Sequence, residues 1–339
     1  MPTRFGHLYE QVASLESLYA AFLKARAGKR CKAAVEAFER NLGANLAALA
    51  DELAEGRYRP RGYRKFEVRE PKPRVIYAPE FRDTIVQHAV YAVVYPIFDR
   101  TFIHDAYGCR VGKGHHRAAD QAQRYLRASA PDSVTLQLDV RKFFYRIDRA
   151  VLMTQIERKI KDPRLLALMA AFCEYDEPRG LPIGNLLSQL FASIYLHDLD
   201  MHVKRVMRIR RYVRFVDDFI LFGLDRPQAR AALQEIEAFL ADRLGLELSR
   251  YTIAPVRRGV NFVGFRTWRR TRCVRKHSLC RFSRRLREGD VPALVSMLGN
   301  ARATASFRHF AGRLYARRPD LVPRLPAATR ATLEAACCS

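Results

Sequence analysis

Three aspartates stand where phosphoryl-transfer chemistry would need them. Asp139 is the only acid in the apolar run 134–140, where Leu136, Leu138 and Val140 alternate with Gln137 and Asp139. Asp217 and Asp218 are adjacent, at the point where 212–216 must turn back into 219–222. Two like charges beside Phe215, Val216, Phe219 and Ile220 are unfavourable unless a cation balances them. Alone, an Asp-Asp pair reads as an ordinary polar turn. An apolar hairpin around it and a third acid upstream favour metal binding. Phosphoryl transfer needs negative charge neutralised at both the attacking and the leaving oxygen, which two Mg²⁺ ions do, with Mn²⁺ as a substitute. Such ions take hard oxygen ligands from a few carboxylates.

The elements that must carry these residues follow from periodicity. Leu15, Leu18 and Phe22, then Leu42, Leu46, Leu49 and Leu53, recur every three or four residues and predict helices up to about residue 58, with Gly56 ending the second. Residues 63–77 read as short strands broken by Pro71 and Pro73. A helix follows, with Asp83 as N-cap, Ile85, Val86, Ala89, Val90 and Val93 facing a core, and Pro96 bending or ending it. Another runs from about His115 to Arg127. After the Asp139 strand come a helix capped by Asp148, one beginning at Pro163, and a long helix from Ser188 to about Met207. Residues 212–224 form a hairpin, Asp225 opens a helix that Gly245 closes, and two or three short strands continue through Phe265. This order predicts an α+β fold with an antiparallel sheet.

Bulk properties narrow the partner. The 339 residues carry 60 Lys and Arg against 35 Asp and Glu, a net charge of +25. Such an excess points to a polyanion. A membrane surface would require an amphipathic anchor or a span of ~20 apolar residues, and neither is present in the sequence. Met1 to Tyr9 is too polar for a signal peptide core. Seven scattered cysteines do not suit a disulfide framework. Cys273, His277 and Cys280 lack a fourth zinc ligand at suitable spacing and read as free thiols of a reducing cytosol. The run Lys24, Arg26, Lys29, Arg30 and Lys32 is a solvated face or a phosphate contact. Between Arg257 and Arg287 no acid occurs, which predicts a lobe gripping nucleic-acid backbone.

At these residues the chain resembles the reverse transcriptases, over roughly 60–270. Leu138-Asp139-Val140-Arg141-Lys142-Phe143-Phe144 is similar to their first catalytic motif, and Phe215-Val216-Asp217-Asp218 to their second, with Phe in place of the usual Tyr. The resemblance implies that Asp139, the Val140 carbonyl, Asp217 and Asp218 bind the metals. It makes Phe144 the aromatic gate against a nucleotide 2′-hydroxyl, and Arg74 and Lys72 contacts to the incoming dNTP triphosphate. Residues 260–265 resemble the hairpin that holds the primer end. Tyr107-Gly108-Cys109-Arg110, together with Gln87-His88, resembles the fingers of group II intron-type enzymes. Intron-type enzymes carry Gln-Gly-x-x-x-Ser-Pro. This chain has Ile183-Gly184-Asn185-Leu186-Leu187-Ser188-Gln189, a form similar to reverse transcriptases of diversity-generating retroelements. Ile183, Gly184 and Gln189 then lie by the nucleotide. Replacing a Gln by Ile removes a polar contact and with it part of the penalty for mispairing. The Lys that usually follows the second motif has no clean match near Ser249 and Arg250, so no general acid is assigned.

The expectation is a right-hand polymerase: a basic helical extension over 1–60, fingers over 61–135, a palm over 136–268 and a basic helical thumb over 269–339. It would extend a primer on template RNA with dNTPs, holding the RNA/cDNA duplex and making cDNA with errors at template adenines. No length is left for a nuclease. The resemblance also implies a basic, oligomeric accessory variability protein and a cytoplasmic setting, bacterial or phage-encoded, with no membrane. The alternatives are a retron, CRISPR-associated or abortive-infection reverse transcriptase, and a non-catalytic RNA-binding scaffold.

Overall fold

The computed structural model describes residues 4–69 and 73–337. In chain order, helices α1 (Tyr9–Ala13), α2 (Leu15–Arg26), α3 (Ala33–Arg40) and α4 (Leu42–Ala54) precede strands β1 (Tyr63–Val68) and β2 (Arg74–Pro79). Helices α5 (Phe81–Asp99) and α6 (His115–Ala128) lead to β3 (Val134–Val140). Then come α7 (Phe143–Arg146), α8 (Arg149–Glu157), α9 (Pro163–Ala171), α10 (Leu186–Tyr195) and α11 (His197–Met201). Strands β4 (Tyr212–Phe215) and β5 (Asp218–Leu224), helix α12 (Arg226–Leu244), and strands β6 (Leu248–Pro255), β7 (Val260–Phe262), β8 (Phe265–Thr267) and β9 (Arg272–Val274) follow. Helices α13 (Lys276–Glu288), α14 (Val291–Ala301), α15 (Ser306–Arg317) and α16 (Ala327–Cys337) complete the described chain. No helix among the described residues is long and apolar enough to cross a membrane.

The chain divides into two units. The first holds 1–111, 139–210 and 232–250, and the second 112–138, 211–231 and 251–339, so the boundary cuts β3 between Leu138 and Asp139. In the first unit Leu18, Phe22, Leu46, Leu49 and Leu53, the periodic residues of α2 and α4, are buried with Ile85, Val86, Ala89 and Val90 of α5. Strands β1 and β2 pair as an antiparallel hairpin from Tyr63↔Pro79 to Val68↔Arg74. In the second unit β4 and β5 form the expected hairpin, and α6 packs on it through Tyr125 against Phe222, ring centroids 5.7 Å apart. Strands β7, β8 and β9 make a separate antiparallel sheet. An apolar core of Phe282, Leu286, Leu294, Leu298, Phe310 and Leu314 unites α13 to α15. The strand order β4-β5-β3-β6 makes one further sheet.

Four local expectations need correcting. Asp83 is not an N-cap: the helix begins at Phe81, and Asp83 is buried in its first turn, accepting from the Tyr58 hydroxyl at 2.6 Å and the Arg61 amide at 2.8 Å. Burial raises the carboxyl of Asp83 above its usual range. Of the two effects expected of Pro96, bending or ending that helix, the second does not occur: Pro96 lies inside it. The helix expected from Ser188 to Met207 breaks at Leu196, restarts, and passes into a π-helical turn at His202–Val206. Finally, Arg272–Val274, inside the basic run, is a strand paired with β8. The cap at Asp148 and the helix start at Pro163 match their predicted places, and the Asp148 and Asp162 side chains each accept from a first-turn amide.

Candidate active site

The carboxylate pair sits on a very tight turn. Phe215 pairs with Asp218, so Val216 and Asp217 alone reverse the chain. The strands on either side are held by burial: Tyr212, Val213, Phe219, Ile220 and Leu221 are fully buried. Val216 adopts φ +57°, a left-handed conformation in which a β-branched side chain is strained. Beneath the turn, Arg214 is 2% exposed, and its Nη1 donates to the Val216 carbonyl at 3.1 Å. A buried guanidinium demands satisfied hydrogen bonds, and here one of them props the turn that presents the acids.

Within the same unit, Asp218 has a dedicated donor. Gln137 Nε2 donates to Asp218 Oδ1 at 3.0 Å and to the Asn261 carbonyl of β7 at 2.8 Å. The two-residue strand period places Gln137 on the Asp139 face of β3, opposite buried Leu136 and Leu138.

In the first unit, Asp139 is about one third exposed, with its side chain at 30%. Ser249 Oγ lies 2.6 Å from Asp139 Oδ2 and 3.1 Å from its carbonyl oxygen, and the guanidinium of Arg250 is 3.9 Å from Oδ2. Next to it, Arg141 N donates to the Glu247 carbonyl at 2.8 Å, which ties the segment after β3 to the entry of β6. The exposed Glu247 carboxyl is held below its usual range, chiefly by the hydrogen bond from Arg146.

The remaining predicted residues of the first unit fall into two groups. Val140 ends β3 and is buried, and Phe144 is the second residue of the short α7, its ring 5.4 Å from that of Phe143. The backbone behind Phe144 is clamped: the Leu181 amide donates to its carbonyl at 2.8 Å and the Gly180 amide to that of Ile147 at 2.9 Å. Ile183 and Gly184 lie against β2, the strand that Arg74 opens. The Tyr77 amide donates to the Ile183 carbonyl at 2.7 Å. A Cβ on Gly184, whose φ is +109°, would come within 2.7 Å of Ile76 Cγ2. Arg74 and Gln189 are exposed. Lys72 lies outside the described residues. In the second unit, Cys273 sits in β9 and Cys280 is exposed on α13.

Among the described residues, no three His, Cys, Asp or Glu side chains are gathered into a ready-made metal cage. The donors at hand are hard carboxylate oxygens, each oriented by a neutral donor, Ser249 for Asp139 and Gln137 for Asp218. That donor chemistry suits Mg²⁺, which completes its shell with water and substrate phosphate. Motif reading finds the acids and misses Ser249, Gln137 and Arg214. The period-2 register was the available signal for Gln137, whereas Ser249, 110 residues from Asp139 in sequence, left none.

Comparison with known proteins identifies the family. The family model described as reverse transcriptase (RNA-dependent DNA polymerase) matches residues 64–267. The chain is 24% identical over 276 residues to the protein YkfC of Escherichia coli K12, covering 68% of this chain and 72% of YkfC. It is 27% identical over 170 residues to the group II intron-encoded protein LtrA of Lactococcus lactis, covering 47% of this chain but only 28% of LtrA. Among solved structures it resembles telomerase from Candida albicans, with a TM-score of 0.50 at 12% identity over 78% of this chain and 57% of that one. That likeness is one of fold, the mixed helix and sheet fold of right-hand polymerases. With more than half of its length matched, the chain belongs to the reverse transcriptase family of RNA-dependent DNA polymerases.

Proposed function

We propose that this reverse transcriptase copies the template-repeat RNA of a diversity-generating retroelement into cDNA, with errors at template adenines, and that Asp139, Asp217 and Asp218 carry the chemistry. The observation that carries the retroelement reading is the segment 183–189. Ile183 stands where intron-type enzymes have Gln, and its carbonyl is tied to Tyr77 of β2. An aliphatic side chain there offers shape without a hydrogen bond, so a wrong base leaves fewer polar groups unpaired.

Two Mg²⁺ ions, when bound, would neutralise charge on the attacking primer oxygen and the leaving pyrophosphate, and Mn²⁺ suits the same oxygen donors. Asp139, Asp217, Asp218 and the Val140 carbonyl would hold them. Ser249 and Gln137 orient two of these carboxylates without cancelling their charge. Arg74, and Lys72 beside it in sequence, would neutralise triphosphate oxygens. The Phe144 ring would close the space beneath the sugar, and Gly184 and Gln189 would flank the nucleotide. The lobes would be fingers over 61–135, palm over 136–268 and thumb over 269–339, following a basic extension over 1–60. Template RNA, the RNA/cDNA duplex and an oligomeric basic accessory protein are the proposed partners of a cytoplasmic enzyme, bacterial or phage-encoded.

Primer extension on an RNA template with Mg²⁺, with the product sequenced, tests both parts of the reading. The expected result is synthesis by wild type, none by the Asp217→Ala/Asp218→Ala variant, and errors concentrated at template adenines that fall in Ile183→Gln. Faithful copying by wild type would instead support an intron-type enzyme, the second reading, which the match to LtrA favours. Synthesis that survives loss of both aspartates would overturn the assignment of the acids.

A further inference from the structure

We propose that Gln137 is a positioning residue that fixes the Asp218 carboxylate and locks it to strand β7. This rests on the reading of Asp218 as a metal-holding acid. A glutamine amide has two N–H bonds, and both are committed here: one to Asp218 Oδ1 at 3.0 Å, the other to the Asn261 carbonyl at 2.8 Å. The side chain is half-buried, and its stem is anchored because the flanking Leu136 and Leu138 are fully buried.

The choice of side chain follows from the chemistry. A lysine would orient the carboxylate equally well but would cancel the charge that a metal needs. A glutamate would set carboxylate against carboxylate. An asparagine, one methylene shorter, cannot span both acceptors from the same backbone position. Only a neutral donor of this length fixes one Asp218 oxygen and leaves its charge intact.

The second bond gives the arrangement a further property. Asn261 lies in β7, paired with Arg266 of β8, and the tight β7–β8 hairpin turns at Val263 and Gly264, both at positive φ. Any displacement of β7 pulls on the same amide that holds Asp218. The acid is therefore coupled to the hairpin over 260–267, and a mispositioned hairpin detunes the acid directly.

The test compares wild type, Gln137→Leu, Gln137→Met, Asp217→Asn, Asp218→Asn and the Gln137→Leu/Asp218→Asn double variant. Three quantities are read: the single-turnover extension rate across a Mg²⁺ titration, duplex affinity without metal, and Tb³⁺ luminescence titration of the free protein. Loss of a group that orients a metal ligand costs roughly 10–100-fold in affinity or activity. The expected result for Gln137→Leu is therefore about a tenfold or greater loss of rate, with Mg²⁺ and Tb³⁺ midpoints shifted to higher concentration and duplex affinity within about twofold of wild type. The double variant should be no slower than Asp218→Asn alone, because the amide acts only through that carboxylate. Gln137→Met keeps the length of the side chain and carries the same expectation should the leucine variant fold poorly. A wild-type rate and wild-type metal midpoints in both Gln137 variants, with Asp217→Asn inert, would overturn the proposal and leave the acids in place. So would losses that add in the double variant, or a fall in duplex affinity without a metal shift. Full activity in Asp217→Asn and Asp218→Asn would remove the underlying reading, and the proposal with it.

Discussion

His88 is a residue whose protonation the fold resists. Burial, reinforced by the positive charges of Lys29 and Lys24, pushes its imidazole down to about 4 from an ordinary value of 6.5. The unfolded chain therefore binds a proton in the interval from about 6.5 to about 4 that the folded chain refuses, and stability falls as pH drops through it. The loss amounts to about 3 kcal/mol at most and is complete below the folded value. Denaturant melts across this interval should show it, and His88→Asn should flatten the profile. At this scale the sequence was readable where chemistry restricts residue type. Three acids stand out among apolar neighbours as candidate ligands, and Asp217 and Asp218 fall on the hairpin expected for them. Residues that act through others do not stand out: Ser249 and Gln137 are common types whose meaning comes only from which oxygen they touch. Asp83 misled for the opposite reason, since a capping residue type was placed three residues inside a helix to bind Tyr58.

Among the elements, the loop over 180–184 makes strict backbone demands. Gly180 has φ +86°, and a Cβ there would lie 2.6 Å from the Phe144 carbonyl and 2.8 Å from the Tyr145 backbone. Neither neighbour is a flexible side-chain end that could swing away. Gly180→Ala should destabilise the fold by about 2–4 kcal/mol, from forced φ and backbone overlap together. It should also slow extension beyond that loss by displacing Phe144, which thermal melts paired with extension rates at low temperature would resolve. Helices with clean apolar spacing and the hairpin over 212–224 were legible because local pattern and tertiary burial agree in them. The break at Leu196 and the π-helical turn after it were not, because apolar residues keep their three-to-four spacing through both, at Leu196, Leu199, Val203 and Val206. Strand β9 was hidden in a basic run, although Arg272 is buried: its guanidinium reaches Asp120 at 2.7 Å and Gln123 at 3.0 Å.

For the whole molecule, the net charge of +25 sets the behaviour toward polyanions. Affinity for primer–template should fall linearly on a log–log plot against salt. For about six neutralised phosphates the slope is near −5, which is about a 10³-fold loss between 50 and 200 mM. Anisotropy titrations over that range check it, and a flat response would remove the electrostatic account of the basic composition. The expectation of a polyanion partner rests on composition alone. The division into two units was not legible, since each unit assembles three segments distant in sequence, and the boundary passes through β3 and α12, where local pattern is continuous.

The turn at Val216 also bears on how such a protein evolves. A β-branched residue at φ +57° stores about 1–3 kcal/mol that a glycine would release in the folded state. Selection for heat resistance alone would favour relaxing that turn, and selection for copying would oppose it wherever the strained geometry aims the acids. Thermostable lineages of this enzyme would then gain their extra degrees elsewhere, and position 216 would record which pressure prevailed.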